Sequence, residues 1–220
     1  MNKKIAILLL SLAIILTGCS KKEDVSDPLK FKQEYESLNG QKDDEGLSYS
    51  TVEISSDCKV KYMTKDKITE VLTNGTHVVY FGWPTCPYCR LAVPILLETI
   101  EEYSGISMYY YDIKELRDAY SSDPNSEDGK LYSEIVKIIS FSECDLSTID
   151  TFEDGSLKLS ASIMYFIKDG QIIGYHRGTV ESHLNAYEPL EETQKEELKE
   201  IYRSYLDEMI KKSPIGCGDC

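Results

Sequence analysis

Residues 77–103 read His-Val-Val-Tyr-Phe-Gly-Trp-Pro-Thr-Cys-Pro-Tyr-Cys-Arg-Leu-Ala-Val-Pro-Ile-Leu-Leu-Glu-Thr-Ile-Glu-Glu-Tyr. The first part, Val78–Phe81, is a continuous apolar run, which is typical of a central strand covered on both faces. A turn with two cysteines follows it, and the apolar residues after Cys86 recur at helical spacing. The stretch therefore predicts a strand, a tight turn and a helix that begins at the first cysteine.

The spacing of Cys86 and Cys89 at a helix start predicts thiol–disulfide chemistry. Unpaired N–H groups and the helix dipole favour a thiolate at this position, and the pKa of the first thiol in such motifs falls from about 8.5 toward about 7 or below. Cys89, one turn further along, can resolve a mixed disulfide formed on Cys86. We predict Cys86 as the nucleophile, Cys89 as the resolving thiol and their disulfide as the redox group, with no other cofactor and no metal.

Five further residues belong to the predicted active-site turn or border it. Pro87 pre-sets a helical φ between the cysteines. Trp83 and Tyr88 flank the dithiol, where they form either an apolar docking surface or simple packing. Pro84 and Thr85 complete the turn.

The flanking segments complete an α/β pattern. Ile106–Ile113 is a strong strand, which makes a βαβ unit with Val78–Phe81. Two apolar strands, Ile163–Lys168 and Gln171–His176, are joined by Asp169-Gly170, a hairpin signal. Further predicted elements are a short N-terminal helix from Asp27, a strand within Leu47–Ile54, a strand at Lys59–Met63, a helix over Thr64–Leu72, an inserted helical section with a helix over Leu131–Ile139, and a final helix opened by Pro189.

The N-terminus has the anatomy of an export signal. Lys3 and Lys4 precede the apolar run Ile5–Leu16, which is too short to span a bilayer. Leu16-Thr17-Gly18-Cys19 resembles the lipobox of bacterial lipoproteins, and this resemblance implies cleavage before Cys19 and a diacylglyceryl group on its sulfur. The alternative is an ordinary signal peptide. We expect the protein to be lipid-anchored at the extracytoplasmic face of the cell membrane.

The composition and the positions of turn and loop residues divide the chain into four segments. They are a signal peptide (1–18), a tether with a short helix (19–50), the main domain (51–212) and a cysteine-containing tail (213–220). The formal net charge of −14 argues against nucleic acid or an anionic membrane surface as a partner.

From about Lys59 to Lys211 the order of elements resembles the thioredoxin superfamily. Pro94 matches the kink proline of the thioredoxin active-site helix, and Cys-Pro-Tyr-Cys is the motif of glutaredoxins. The resemblance implies a thioredoxin-like fold, with a central mixed sheet flanked by helices. It also implies an N-terminal helical extension and a helical insertion before the C-terminal hairpin. Protein or peptide thiols and disulfides are the implied substrates.

The likeness is greatest to bacterial lipoprotein thioredoxin-like proteins grouped with bacteriocin transport accessory proteins. The shared features are the lipobox, a segment like Tyr35–Gly40, the pattern Tyr-Phe-Gly-x-x-x-Cys-Pro-x-Cys-Arg and a paired-cysteine tail. A membrane transporter or a redox partner is therefore an implied partner.

Two positions depart from the thioredoxin pattern. Thioredoxins have a buried Asp six residues before the first cysteine, where this chain has Tyr80. They also place a cis-proline beside the disulfide, where this chain has Ser162. Because a cis bond before a non-proline residue costs about 3 kcal/mol, we expect a trans or altered loop at Ser162.

The remaining cysteines leave alternatives open. Cys217 and Cys220 form either a second redox pair or a tail without a redox role. Together with Cys86 and Cys89 they would also make a four-thiolate zinc site. Cys58 and Cys144 are left as a pair only by elimination. A further alternative to catalysis is an accessory lipoprotein that binds a transporter or a secreted peptide.

Overall fold

Five strands form a mixed sheet in the computed structural model, which describes residues 25–211. The strands are β1 (Val60–Tyr62), β2 (His77–Phe81), β3 (Met108–Tyr111), β4 (Ile163–Lys168) and β5 (Gln171–Arg177). Their order across the sheet is β1-β3-β2-β4-β5. Strands β1, β3 and β2 are parallel, while β4 runs antiparallel to β2, and β5 to β4.

Helices cover both faces of this sheet. They are α1 (Asp27–Glu36), α2 (Ile68–Thr73), α3 (Pro87–Glu101), α4 (Lys114–Ser122), α5 (Glu127–Ser140) and α6 (Glu192–Ile210), with a 3-10 turn at Lys65–Lys67. The β2–α3–β3 unit followed by the β4–β5 hairpin and α6 is the arrangement that the thioredoxin resemblance implies. The predicted α/β class and thioredoxin-like fold are therefore confirmed. Among residues 25–211, no helix has both the length and the apolar composition needed to cross a bilayer.

The central strand β2 is buried on both faces, as its unbroken apolar sequence predicts. Val78 and Tyr80 point into one core cluster, which also receives buried residues of α1, α3 and α6. Val79 and Phe81 point into the other, which is closed by α2, α4 and α5. Consecutive residues alternate between the faces, so the side chain at position 80 lies on the same side of the sheet as α3.

The N-terminal helix α1 packs on the same face as the active-site helix α3. Phe31 and Tyr35 are fully buried, and their rings stack at a centroid distance of 4.5 Å. The strand predicted within Leu47–Ile54 is wrong. The backbone N–H of Ile54 donates to a carboxylate oxygen of Glu36 at 2.8 Å instead of joining a ladder.

The inserted section between β3 and β4 contains two helices. The helix predicted over Leu131–Ile139 is confirmed as α5, which begins earlier because the Ser126 hydroxyl caps it by accepting from Gly129 N–H at 3.0 Å. Helix α4 was not predicted from the sequence. It buries only Leu116 and Tyr120, which is a weak periodic signal.

The predicted hairpin is confirmed, with positive φ at Asp169 and Gly170 in the turn. The expectation for Ser162 is wrong, because the Ala161–Ser162 peptide bond is cis. Gly178 N–H donates to Ser162 O at 2.8 Å, and β4 begins at the next residue.

The final helix begins at Glu192 rather than at Pro189. Its first turn carries a capping box between Glu191 and Gln194. The signal peptide, the lipidation site Cys19 and the tail pair Cys217 and Cys220 lie outside the described residues, and the four-segment division of the chain stays a prediction.

Substitution Phe31→Ala should lower the free energy of unfolding by about 3–5 kcal/mol, because it empties a buried aromatic site. Urea unfolding of the full chain measures this change. Phe141→Ala is the matched control, since Phe141 is 77% exposed, and it should cost less than about 0.5 kcal/mol. Equally small effects at both positions would contradict a role for α1 in the core.

Candidate active site

The two cysteines occupy the first turn of α3. Cys86 is the N-cap residue, with φ −77° and ψ 122°, and Pro87 occupies the first helical position. The backbone N–H of Cys89 donates to Cys86 Sγ at 3.3 Å. The cysteine sulfur thus takes the place of the oxygen that usually caps a helix, and it faces the unpaired N–H groups of the first turn.

The surroundings move the pKa values of the two thiols in opposite directions. A hydrogen bond from the Cys89 thiol lowers the pKa of Cys86, and the N–H groups of Cys89 and Tyr88 add to this effect against the opposing effect of burial. Burial raises the pKa of Cys89 well above its usual value, and the hydrogen bond to Cys86 raises it further. Cys86 is 7% exposed and Cys89 is fully buried. The site therefore combines a thiol of lowered pKa, which keeps a small exposed fraction, with a fully buried thiol of raised pKa.

Tyr80 fills the position where thioredoxins have an aspartate. Its side chain is fully buried, and its hydroxyl and the Cys89 sulfur both border the space beside Gly82. The hydroxyl of Tyr35 on α1 is 3.2 Å from the Tyr80 hydroxyl. The buried thiol is thus backed by two phenols rather than by a carboxylate.

Arg90, the residue after Cys89, is only 1% exposed. Its Nε donates to Ser50 O at 2.8 Å, and its Nη2 donates to Asn39 Oδ1 at 2.7 Å. Its Nη1 donates to Tyr35 O at 2.7 Å and to Pro84 O at 3.3 Å. Within residues 25–211 no carboxylate lies within ion-pair distance of this guanidinium. The buried charge is satisfied by oxygens of the N-terminal segment and of the active-site turn.

The predicted turn residues surround the dithiol at different depths. Thr85 is exposed, while Trp83, Pro84, Pro87 and Tyr88 are half-buried. The indole of Trp83 packs against both core clusters, and the guanidinium of Arg117 lies 5.0 Å above it. A large part of the Trp83 side chain is therefore in packing contacts within the fold.

Ser162 lies across the sheet from the active-site turn. Ile163 pairs with Phe81, so the antiparallel register sets Ser162 opposite Gly82. The Ser162 hydroxyl is buried and has no hydrogen-bond partner. Its neighbour Ala161 and the active-site residue Tyr88 line the same cavity of about 870 Å³, which runs along β5 toward α6.

Cys58 and Cys144 do not form a disulfide. Cys58 precedes β1 at one edge of the sheet and belongs to the α3 face. Cys144 packs on the other face, with its sulfur 3.8 Å from Ile172 O at the opposite edge strand. Four strand spacings of about 4.8 Å separate these edges, far more than a disulfide can bridge. The pairing that remained by elimination is therefore wrong.

Tyr35 and Arg90 are site residues that were not identified from the sequence. They lie 55 positions apart, so neither predicts the other by local spacing. Both residues lie in stretches singled out above, Tyr35–Gly40 and the pattern that ends at Arg90, and Arg90 is also a charged residue near the start of a largely apolar helix.

No protein-family model and no curated protein matches this sequence. Similar solved structures include a thioredoxin h mutant from poplar, with 17% identity over 76% of this chain and 95% of that chain and a TM-score of 0.39. Thioredoxin O2 from Arabidopsis thaliana is 16% identical over 66% of this chain and 96% of that chain, with a TM-score of 0.35. Thioredoxin 2 from Pseudomonas aeruginosa PAO1 is 14% identical over 73% of this chain and 95% of that chain, with a TM-score of 0.33. All three TM-scores are below 0.5, so the fold assignment rests on the order and direction of the strands.

Iodoacetamide should modify Cys86 and spare Cys89 in the folded, reduced protein. Because the pKa of Cys86 is lowered, its reactivity should rise with a midpoint below the pH of about 8.5 that is usual for a thiol. Mass spectrometry of the tryptic peptide Ile68–Arg90, which contains both cysteines, resolves the two sites. In urea both thiols should react with ordinary midpoints. Equal reaction of the two in the folded protein would contradict the asymmetry.

Proposed function

We propose that this protein is a thiol–disulfide oxidoreductase that acts on proteins or peptides, with Cys86 as the nucleophile and Cys89 as the resolving thiol. The observation that carries the proposal is the asymmetry of the two thiols at the start of α3. The thiol with the lowered pKa keeps a small exposed fraction, and its partner one turn away is fully buried and has a raised pKa. A dithiol that only stabilised the fold would not need this difference.

The chemistry proceeds in two exchange steps. The Cys86 thiolate attacks one sulfur of a substrate disulfide, a bond forms between enzyme and substrate, and the other substrate sulfur leaves as a thiolate. Cys89 then loses its proton and attacks Cys86 Sγ, which releases the second substrate sulfur and leaves a Cys86–Cys89 disulfide. Two electrons pass from the enzyme to the substrate. The same steps in reverse oxidise a substrate dithiol.

The cavity beside the dithiol supports a protein or peptide as the substrate. It opens next to Tyr88 and Ala161, continues along β5 and has a volume of about 870 Å³. Its lining extends from Tyr88 and Ala161 through residues 173–177 of β5 to Tyr205 on α6. A segment of chain that carries a cysteine would fit such an elongated site.

The proposed location is the extracytoplasmic face of a bacterial membrane, with a lipid on Cys19 as the anchor. The support is the sequence Leu16-Thr17-Gly18-Cys19 after an apolar run. Two acyl chains are enough for stable anchoring, where one would be marginal. The implied partner, a membrane transporter or a redox protein of the same compartment, rests on the likeness to bacteriocin transport accessory proteins.

Substitution Cys89→Ser should trap the first exchange step. With oxidised glutathione, this variant should accumulate a stable glutathione adduct on Cys86, because no second thiol is present to resolve it. Mass spectrometry of the peptide Ile68–Arg90 measures the adduct, and the wild-type protein should convert it to the internal disulfide.

The matched control is the double variant Cys86→Ser/Cys89→Ser, which should form no adduct on this peptide. Stoichiometric zinc in the purified protein, without a reducible disulfide, would favour the four-thiolate site instead. Full biological activity of the double variant would favour a binding protein.

A further inference from the structure

Two buried tyrosine hydroxyls lie directly behind the resolving thiol. Tyr80 on β2 and Tyr35 on α1 are both fully buried, and their hydroxyl oxygens are 3.2 Å apart. The Tyr80 hydroxyl oxygen and the Cys89 sulfur both border the same small space beside Gly82. These groups form a continuous line from the N-terminal helix to the dithiol.

Gly82 shows how tightly these groups converge. A Cβ at this position would lie 2.1 Å from the Tyr80 hydroxyl oxygen and 2.9 Å from Cys89 Sγ. Both distances are too short for any real side chain. Because Gly82 has no side chain, the Tyr80 hydroxyl and the Cys89 sulfur can both occupy the space beside it.

The position of Tyr35 is set by its own contacts. Its ring stacks on Phe31 at 4.5 Å, and its carbonyl oxygen accepts a 2.7 Å hydrogen bond from Arg90. Because Arg90 follows Cys89 on α3, the residue that fixes Tyr35 belongs to the same helix as the thiol. Tyr35 is therefore held in a constant position relative to Cys89.

We propose that Tyr80 is a catalytic residue that stabilises the thiolate of Cys89 by donating a hydrogen bond to its sulfur, and that Tyr35 is a positioning residue that orients the Tyr80 hydroxyl. This inference rests on the proposed oxidoreductase function. In the resolving step, the S–H bond of Cys89 breaks, its proton ends on the departing substrate thiol, and its sulfur bonds to Cys86. In the reverse reaction, Cys89 is the leaving thiolate and receives the same hydrogen bond.

Because Tyr80 and Tyr35 are buried, they act as hydrogen-bond donors rather than as bases. Burial raises the pKa values of Tyr80 and Tyr35 well above their usual range, so both hydroxyls keep their protons. The Tyr80 hydroxyl lowers the pKa of Cys89, against the larger effect of burial. A hydrogen bond to a charged partner in a site without water is among the stronger ones.

The other titratable groups around this pair cannot replace it. Arg90 directs its N–H groups to oxygens of the N-terminal segment and of Pro84. The Tyr202 hydroxyl on α6 is buried without a hydrogen-bond partner. The groups that face Tyr80 and Cys89 from the surrounding elements are Tyr35 (α1), Tyr110 (β3), Cys86 and Arg90 (α3) and Tyr202 (α6).

Substitution Tyr80→Phe removes one oxygen and tests the proposal. The full chain is mixed with oxidised glutathione and quenched with acid, and the peptide Ile68–Arg90 is analysed by mass spectrometry. Conversion of the Cys86–glutathione adduct to the internal disulfide should slow at least about tenfold, as expected for a lost hydrogen bond to a charged group. The pH midpoint of this step should rise, because the Cys89 thiolate loses stabilisation.

Tyr35→Phe should give a smaller change in the same direction, and the double variant should be no slower than Tyr80→Phe. The matched control is Tyr165→Phe, which removes a fully buried hydroxyl without a partner from the opposite face of the sheet. Its rate and midpoint should equal those of the wild type.

The outcomes separate this inference from the proposed function. If the wild-type protein forms neither an adduct on Cys86 nor the Cys86–Cys89 disulfide, and Cys89→Ser traps no adduct, the oxidoreductase function fails. If the wild type resolves the adduct and Tyr80→Phe does so with the same rate and midpoint, only the role of Tyr80 is overturned. A slower Tyr80→Phe with an unchanged midpoint would indicate a structural effect and would also overturn it. Should Tyr80→Phe not fold, an unchanged rate and midpoint in Tyr35→Phe would overturn the proposal.

Discussion

The buried guanidinium of Arg90 makes the N-terminal segment part of the active-site environment. Moving a charge out of water costs several kcal/mol unless hydrogen bonds compensate for it. Here the compensation comes from the oxygens of Tyr35, Asn39, Ser50 and Pro84. Three of these four residues precede the sheet in the chain. The stretch from Tyr35 to Asn39 thus closes around the residue after the second cysteine.

A tyrosine behind the dithiol differs chemically from a carboxylate. A buried carboxylate can take up a proton, whereas a buried phenol with a raised pKa keeps its own proton and acts through hydrogen bonds, which its hydroxyl can both donate and accept. Tyr80 therefore adds no charge of its own to a site whose buried charge belongs to Arg90. The Cys89 thiol and then the N–H groups of the first helical turn lower the pKa of Cys86, whereas Tyr80 on β2 acts on the pKa of Cys89.

Features with local causes were predictable from the sequence. The strand β2, the start of α3 at Pro87 and the hairpin at Asp169-Gly170 each follow from a few adjacent residues. Features that depend on distant contacts were not. The segment 47–54 bonds to side chains of the N-terminal segment instead of to a strand. The cis bond before Ser162 lacks the proline that would signal it, and the Tyr35–Tyr80 contact spans 45 positions. The dithiol could therefore be located, while the groups that surround it could not.

The empty space at Gly82 has a consequence for how this sequence can change. The hydroxyl of Tyr80 occupies the volume that a side chain at position 82 would need. A larger residue at 82 is therefore tolerable only if position 80 becomes smaller, and Tyr35 would then lose its partner. Substitutions at positions 35, 80 and 82 are therefore expected to be interdependent. Evolution of this site into one with a buried carboxylate would require coordinated replacements at these positions.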